Sequence, residues 1–411
     1  MSEMNQLLRI RQLRALAAYR FVSRLYFYLP VLVVILLKQG LSLPQASIVV
    51  AVHGVAIMLL KGPLDTPPLK RISPTIRLVT GEIVKAAGVA GLAFATLETP
   101  GNLAVLIVSQ ALNGLGFALT AGTDSGMLHE ILRVNGAQEQ YRDVETRTQS
   151  YGFIAFLVSG VIGGFLATES ISTPLLLTIP TSILAAACAF GLRVTHAGGY
   201  SPSADGAPSG ETRTSRRDAR RIYLRASWAL IVFYALSRGI ILTLFVWFVP
   251  VALFVTLHVP LTFFGLILGL YTGTGFVAAR YSKQIAQKVG ETRLLVAGVP
   301  ICLTAGILLV MLDLPGLYVV IPVIIGFAAA FVRPLSYAAI AARDPIHRSE
   351  VISAAETLLG VVNAVLVLLS ALLMETWKLA PSLMLLGLVG VAVAAVGFGS
   401  RNRKASTVAI G

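Results

Sequence analysis

The residues best placed to do chemistry in this chain are charges set inside apolar sequence. In "FYALSRGIILTLFVWFVP" (233–250) every residue but one suits a lipid environment, and the exception is Arg238. A guanidinium keeps its proton, and its planar fork grips a carboxylate or a phosphate with two parallel hydrogen bonds. A charge of this kind inside a membrane segment marks a functional site with a partner to be found. Arg20, Arg24, Lys85 and Arg333 lie in similar surroundings. Among the acids, Glu356 in "ISAAETLLG" has no neighbour of opposite sign in its own segment. It is the candidate coupling group, because a carboxyl in low-dielectric surroundings can carry a proton. His53 is a second titratable candidate, with a hydrogen-bonded packing role as its alternative. Tyr234 stands one turn before Arg238 on the same face, and with Asn113, Tyr271 and Asn363 could supply polar contacts. Glu82 and Lys85, three apart, read as a self-neutralising pair.

The elements that must position these side chains are transmembrane helices. The chain has 411 residues, 56% hydrophobic and 13% charged, where a soluble domain carries about a quarter charged. Apolar stretches recur at 17–37, 44–61, 76–97, 102–124, 148–168, 173–193, 229–253, 261–281, 293–312, 317–340, 351–374 and 380–399. Each is long enough for a helix crossing a core of about 30 Å. Twelve spans are therefore expected in an all-α membrane protein; continuous apolar runs exclude the short alternating strands of a barrel. Arg238 lies twelve residues after Ala226, where span 7 enters, roughly 18 Å deep at ~1.5 Å per residue.

With the N-terminus in the cytoplasm, 26 of the 33 Lys and Arg residues fall on the cytoplasmic side, against Lys38 and Lys378 outside. This bias places both termini inside, in a cell inner (plasma) membrane. It also accounts for the net charge of +14 without nucleic acid, since the basic loops are short and scattered. The first apolar run is too long for a cleaved signal and reads as span 1. Cys188 and Cys302 sit in separate spans and suggest neither a metal site nor a disulfide. No cofactor is expected: no phosphate-cradling loop and no nucleophile elbow is present.

A Gly-, Ser- and Pro-rich segment ending in a basic run separates six spans from six. It gives an N-terminal bundle (1–193), a flexible basic linker (194–225) and a C-terminal bundle (226–411). The halves echo each other. Pro30 in "LPVLVVILLKQGLSLPQAS" aligns with Pro250 in "VPVALFVTLHVPLTFFGLI", "PTIRLVTG" with "GETRLLVAG", and "GFALTAG" with "GFAAAFV". Repeats in the same order imply an axis along the membrane normal and a site near the midplane between the halves.

The 6+6 plan, the charged loop "KGPLDTPPLKR" between spans 2 and 3, and "GTDSGMLHE" ending span 4 resemble the major facilitator superfamily over essentially the whole chain. The resemblance implies a cytoplasmic latch of Gly62, Asp65, Lys70 and Arg71, engaging Asp124 at the end of span 4. The proton-coupled drug exporters of the superfamily carry an Arg in span 4 where this chain has Gln110. Their Gly-Pro signature in span 5 survives here as Ser159-Gly160 and Gly163-Gly164, glycines that permit close helix packing.

In that superfamily spans 1 and 7 line the cavity. Arg24 lies near the repeat-related position of Arg238, so the two resemble the paired arginines of its organophosphate antiporters, with Arg333 as a third positive charge. The resemblance implies a secondary transporter, not an enzyme, that moves a small anionic solute by alternating access. A carboxylate, an organophosphate or a carboxylate siderophore fits, exchanged with a proton or counter-ion by a monomer in the bilayer. A proton-coupled multidrug exporter is the first alternative, and a non-transporting sensor or scaffold the second. For Arg238 itself, structural pairing with Glu356 or Asp124 and snorkelling into lipid stand beside solute contact. Arg20 and Arg24, four apart, are expected on one helical face, with Arg20 reaching the cytoplasmic edge.

Overall fold

The computed structural model describes residues 10–64, 72–192, 213–311, 319–343, 348–373 and 391. The apolar runs form helices, and no strand occurs among the described residues. In chain order these are α1 (Arg11–Val22), α2 (Leu32–Lys38), α3 (Leu43–Leu64), α4 (Pro74–Leu97), α5 (Leu103–Thr120), α6 (Thr123–Val134) and α7 (Tyr141–Glu169). There follow α8 (Thr173–Phe190), α9 (Arg213–Thr243), α10 (Leu261–Arg280), α11 (Ser282–Val289), α12 (Val299–Met311), α13 (Val320–Arg343) and α14 (Arg348–Leu373). Ten helices among the described residues are long and apolar enough to cross a membrane. The expected twelfth span, 380–399, lies almost wholly outside the described residues.

The first span is not the single helix expected for 17–37. α1 ends at Val22, and the chain is non-helical from Ser23 until a 3-10 turn at Leu29–Val31 leads into α2. Pro30 is one cause: it has no N–H to give the carbonyl four residues back. Arg24 therefore sits in the break rather than on a helical face shared with Arg20. Irregular backbone at membrane depth must be satisfied by protein. Here the Phe27 N–H donates to Thr178 Oγ1 (3.2 Å), and Thr181 Oγ1 donates to the Leu25 carbonyl (3.3 Å).

Span 4 is also in two parts. Gly122 takes a left-handed φ of 79° and restarts the chain as α6, a conformation that costs glycine little. Span 7 begins earlier than expected: α9 starts at Arg213, so the basic end of the anticipated linker is helical, consistent with the helix propensity of Arg and Ala. Beyond α9 the winding widens to a π-helix at Leu244–Phe248 and again at Ala252–Thr256, on either side of Pro250.

The two most extensive helix crossings between the first and second halves of the chain, among the described residues, are α7 on α10 and α3 on α14. Both rest on glycine. A Cβ at Gly54 would stand 2.8 Å from the Gly360 carbonyl, and one at Gly360 would stand 2.7 Å from that of Gly54. On α7, a Cβ at Gly164 would meet the Gly265 nitrogen at 2.8 Å, and one at Gly160 would run into the Leu268 side chain. Small residues let backbones approach closely where lipid gives helices no hydrophobic reason to associate.

Candidate functional site

Arg20 is the best-neutralised of the embedded cations. Expected to snorkel, it is instead buried, 2% exposed. Its Nε stands 2.9 Å from Asp124 Oδ2 and its Nη2 2.9 Å from Glu145 Oε2, with Ser125 Oγ and Thr148 Oγ1 as further acceptors. Burial of a charge is tolerable only with partners of this kind. Two acids from α6 and α7 make snorkelling needless. Glu145 was not among the candidates: it precedes the span expected at 148–168, yet lies in the first turns of α7.

Lys85 is likewise neutralised. Its Nζ lies 2.9 Å from Glu82 Oε1, which also accepts from Tyr19 Oη at 2.8 Å. The ammonium reaches Tyr26 Oη at 3.4 Å and stands 4.4 Å from the centre of the Phe117 ring. This pair on α4 thus holds Tyr19 of α1 and Tyr26 within the break in span 1.

Glu356 on α14 is gripped by two phenols. Tyr234 Oη donates to Glu356 Oε1 at 2.7 Å, and Tyr337 Oη donates to the same oxygen. The two rings lie 5.6 Å apart, and the Arg333 guanidinium sits 5.3 Å from the Tyr337 centroid. Arg333 and Arg238 both act electrostatically on the carboxylate. Tyr337 was legible in principle, since it follows Arg333 by four residues on α13 and so shares its face. Arg333 also reaches across the molecule: its Nη2 is 3.9 Å from Asp124 Oδ1.

Arg24 and Arg238 differ from the other three cations. Both are half-buried, and among the described residues neither has a carboxylate within 4 Å. Arg24 lies along α7, near Gly152, with its guanidinium 6.0 Å from the Phe156 ring. Arg238 follows Tyr234 by one turn on α9 and has Tyr271 within its electrostatic reach.

The remaining candidates are dispersed. Asn113 Nδ2 donates to Tyr28 Oη (2.8 Å) and to Gln110 Oε1 (3.2 Å), which ties α5 to the break in span 1. Asn363 Oδ1 accepts from Thr243 Oγ1 at 3.3 Å. Tyr271 stacks on Phe245 with ring centres 4.2 Å apart. His53 packs edge-on to Phe117 at 4.9 Å. Gly163 faces not another helix but the Phe27 carbonyl in the break, where a Cβ would collide with it. Gly62 lies in the last turn of α3, whereas Asp65, Lys70 and Arg71 lie outside the described residues. Asp124 has Arg20 and Arg333 as its ion-pair partners among the described residues.

The family model of the Major Facilitator Superfamily matches residues 15–365. The chain belongs to the Major Facilitator Superfamily, and it is a multi-pass secondary transporter rather than an enzyme. Similar solved structures include a POT family transporter in complex with a thioalcohol-conjugated peptide, 14% identical with a TM-score of 0.74; the match covers 96% of each chain. A POT family transporter in complex with 5-aminolevulinic acid is 13% identical, covers 96% of each chain and has a TM-score of 0.72. The nucleoside transporter NupG is 12% identical, with 95% of this chain and 99% of that one covered and a TM-score of 0.65. At these identities the likeness is one of fold. Among curated proteins none matches by sequence.

Proposed function

We propose that this transporter moves a small organic solute bearing a carboxylate or phosphate across the inner membrane by alternating access, with Arg24 and Arg238 as its anion contacts. One observation carries the reading: these are the two embedded guanidiniums with no carboxylate within 4 Å among the described residues, while Arg20 and Lys85 are each neutralised by an acid at 2.9 Å. A half-buried guanidinium with no carboxylate in direct ion-pair contact is costly unless something else supplies one, and a bidentate anion does so best. Arg333, already shared with Asp124, adds positive potential, and Tyr234, Asn113, Tyr271 and Asn363 are retained in this reading as further polar contacts. Peptides and 5-aminolevulinic acid, named with two of the similar structures, carry carboxylates and are compatible with this chemistry. The nucleoside of the third lacks one, so the argument rests on the arginines and not on the fold.

Glu356 is the coupling group in this reading. Protonation would weaken its hold on the Tyr234 and Tyr337 hydroxyls and remove the negative charge beside Arg238 and Arg333, so solute and proton would be linked through one cluster. His53 is the lesser candidate. The latch of Gly62, Asp65, Lys70, Arg71 and Asp124, the packing role of Gly160, Gly163 and Gly164, the cytoplasmic termini, the monomeric state and the division into 1–193, 194–225 and 226–411 belong to the same proposal. Uptake of a panel of carboxylate, phosphate and cationic solutes into proteoliposomes, with and without an imposed pH gradient, tests it. Saturable uptake of an anion that Arg238→Ala abolishes is the expected result. Uptake confined to hydrophobic cations and indifferent to that substitution would replace it with the exporter.

A further inference from the structure

We infer that Thr178 on α8, remote from the proposed anion contacts in sequence, is the residue that positions Arg24. Arg24 is not carried by a helix. It rides on the non-helical stretch Ser23–Tyr28, whose shape must be fixed from outside if the guanidinium is to have one location.

Within that stretch the local hydrogen bonds run from Ser23 N–H to Tyr19 O, Arg24 N–H to Phe21 O, Leu25 N–H to Val22 O and Tyr26 N–H to Arg24 O. The Phe27 N–H instead leaves the segment and donates to Thr178 Oγ1 at 3.2 Å. The Thr178 hydroxyl is oriented to receive it, because its own proton goes to the Pro174 carbonyl at 2.8 Å. Its residue is fully buried, away from bulk water. On its other side the Phe27 carbonyl lies against Gly163, where any Cβ would displace it. The backbone of Phe27 is thus set between a hydroxyl of α8, which receives its N–H, and a bare glycine of α7, which faces its carbonyl, three residues after Arg24. Thr181 adds only a shared contact: its single proton is divided between Leu25 O (3.3 Å) and Thr178 O (2.8 Å). Buried irregular backbone with one external acceptor makes that acceptor a positioning residue.

This inference rests on the reading of Arg24 as a solute contact only for its functional consequence, so the test separates the two. In a full-length chain with Cys188→Ser and Cys302→Ser, Arg24→Cys reports the position directly through its rate of labelling by a charged methanethiosulfonate reagent. Thr178→Val, which removes the acceptor at equal volume, is expected to change that rate by about fivefold or more, the factor of roughly one hydrogen bond. Thr178→Ser is expected to restore it. An unchanged rate in Thr178→Val overturns the inference.

In the arginine-containing chain, Thr178→Val is expected to raise KM for the anion that the uptake panel identifies while leaving kcat near its original value. Thr178→Ser is expected to restore KM. If Arg24→Ala leaves uptake intact, the solute-contact reading fails, and the labelling rates still decide the positioning role. If Arg24→Ala abolishes uptake and Thr178→Val leaves KM unchanged, the positioning role fails alone. Should Thr178→Val not fold, hydrogen exchange of the unsubstituted protein decides: a protected Phe27 amide supports the bond, and one exchanging freely overturns it.

Discussion

Asp124 Oδ2 stands 2.9 Å from Arg20 Nε within the first half of the chain, while its other oxygen faces Arg333 of the second half at 3.9 Å. One carboxylate therefore serves a local pair and a long-range one. The local pair is the tighter, and Arg20 has Glu145 besides, so Arg20 remains neutralised if Arg333 moves away.

Asp124→Asn removes an acid from the side of a buried guanidinium. Breaking a buried pair by deleting one partner typically costs about 3–5 kcal/mol; Glu145 keeps the loss toward the lower end. The expected outcome is a lower thermal unfolding midpoint in detergent, with Glu145→Gln also destabilising. An unaltered midpoint in both variants would show that these pairs contribute nothing to the fold.

Arg238→Lys keeps the charge but loses the fork. A bidentate contact reduced to a point charge forfeits about one strong hydrogen bond, worth roughly 10- to 100-fold in affinity. Anion uptake should fall by that order through KM, while the protein remains folded and monodisperse. Full activity in the lysine variant would remove the two-pronged contact from the proposal.

How much of this was readable beforehand depends on how local each feature is. The apolar runs gave most spans to within a few residues, because length and composition alone decide whether a segment can cross lipid. The Glu82–Lys85 pair was readable for the same reason: three residues on one helix settle it. The Arg20 site was not. Its partners lie more than a hundred residues away on other helices, and nothing near Arg20 announces them. The break in span 1 was hidden because "SRLYFY" is as apolar and aromatic as a helix would be. Only Pro30 hinted at it, and the hydroxyl that completes it comes from α8. Tyr337 could have been added to the Glu356 site from its spacing to Arg333, whereas Tyr234 meets that acid across 122 residues.

Glu356→Gln keeps an oxygen that the Tyr234 and Tyr337 hydroxyls can use, and removes the charge. The local packing should therefore survive, with little change in melting. Accumulation driven by a pH gradient should be lost, while solute exchange at equal pH on both sides persists. Accumulation that still follows the gradient would exclude this carboxylate from coupling.

Gly163→Ala tests the backbone that carries Arg24 from its other side. The added methyl would occupy the space of the Phe27 carbonyl, so either α7 or the break must shift. Overpacking of a well-filled site costs about 1–3 kcal/mol, and here the yielding element is the non-helical segment 23–28. Anion uptake should fall more than stability does, because a small displacement of residues 23–28 moves a guanidinium without unfolding a helix. Gly273→Ala on α10 is the matched control: its Cβ would have nothing within 4 Å, and alanine is the better helix former by about 1 kcal/mol. Melting and uptake measured on both variants check the expectation. Equal behaviour of the two would mean that the Phe27 peptide is free to move, and that the break in span 1 is not held by α7.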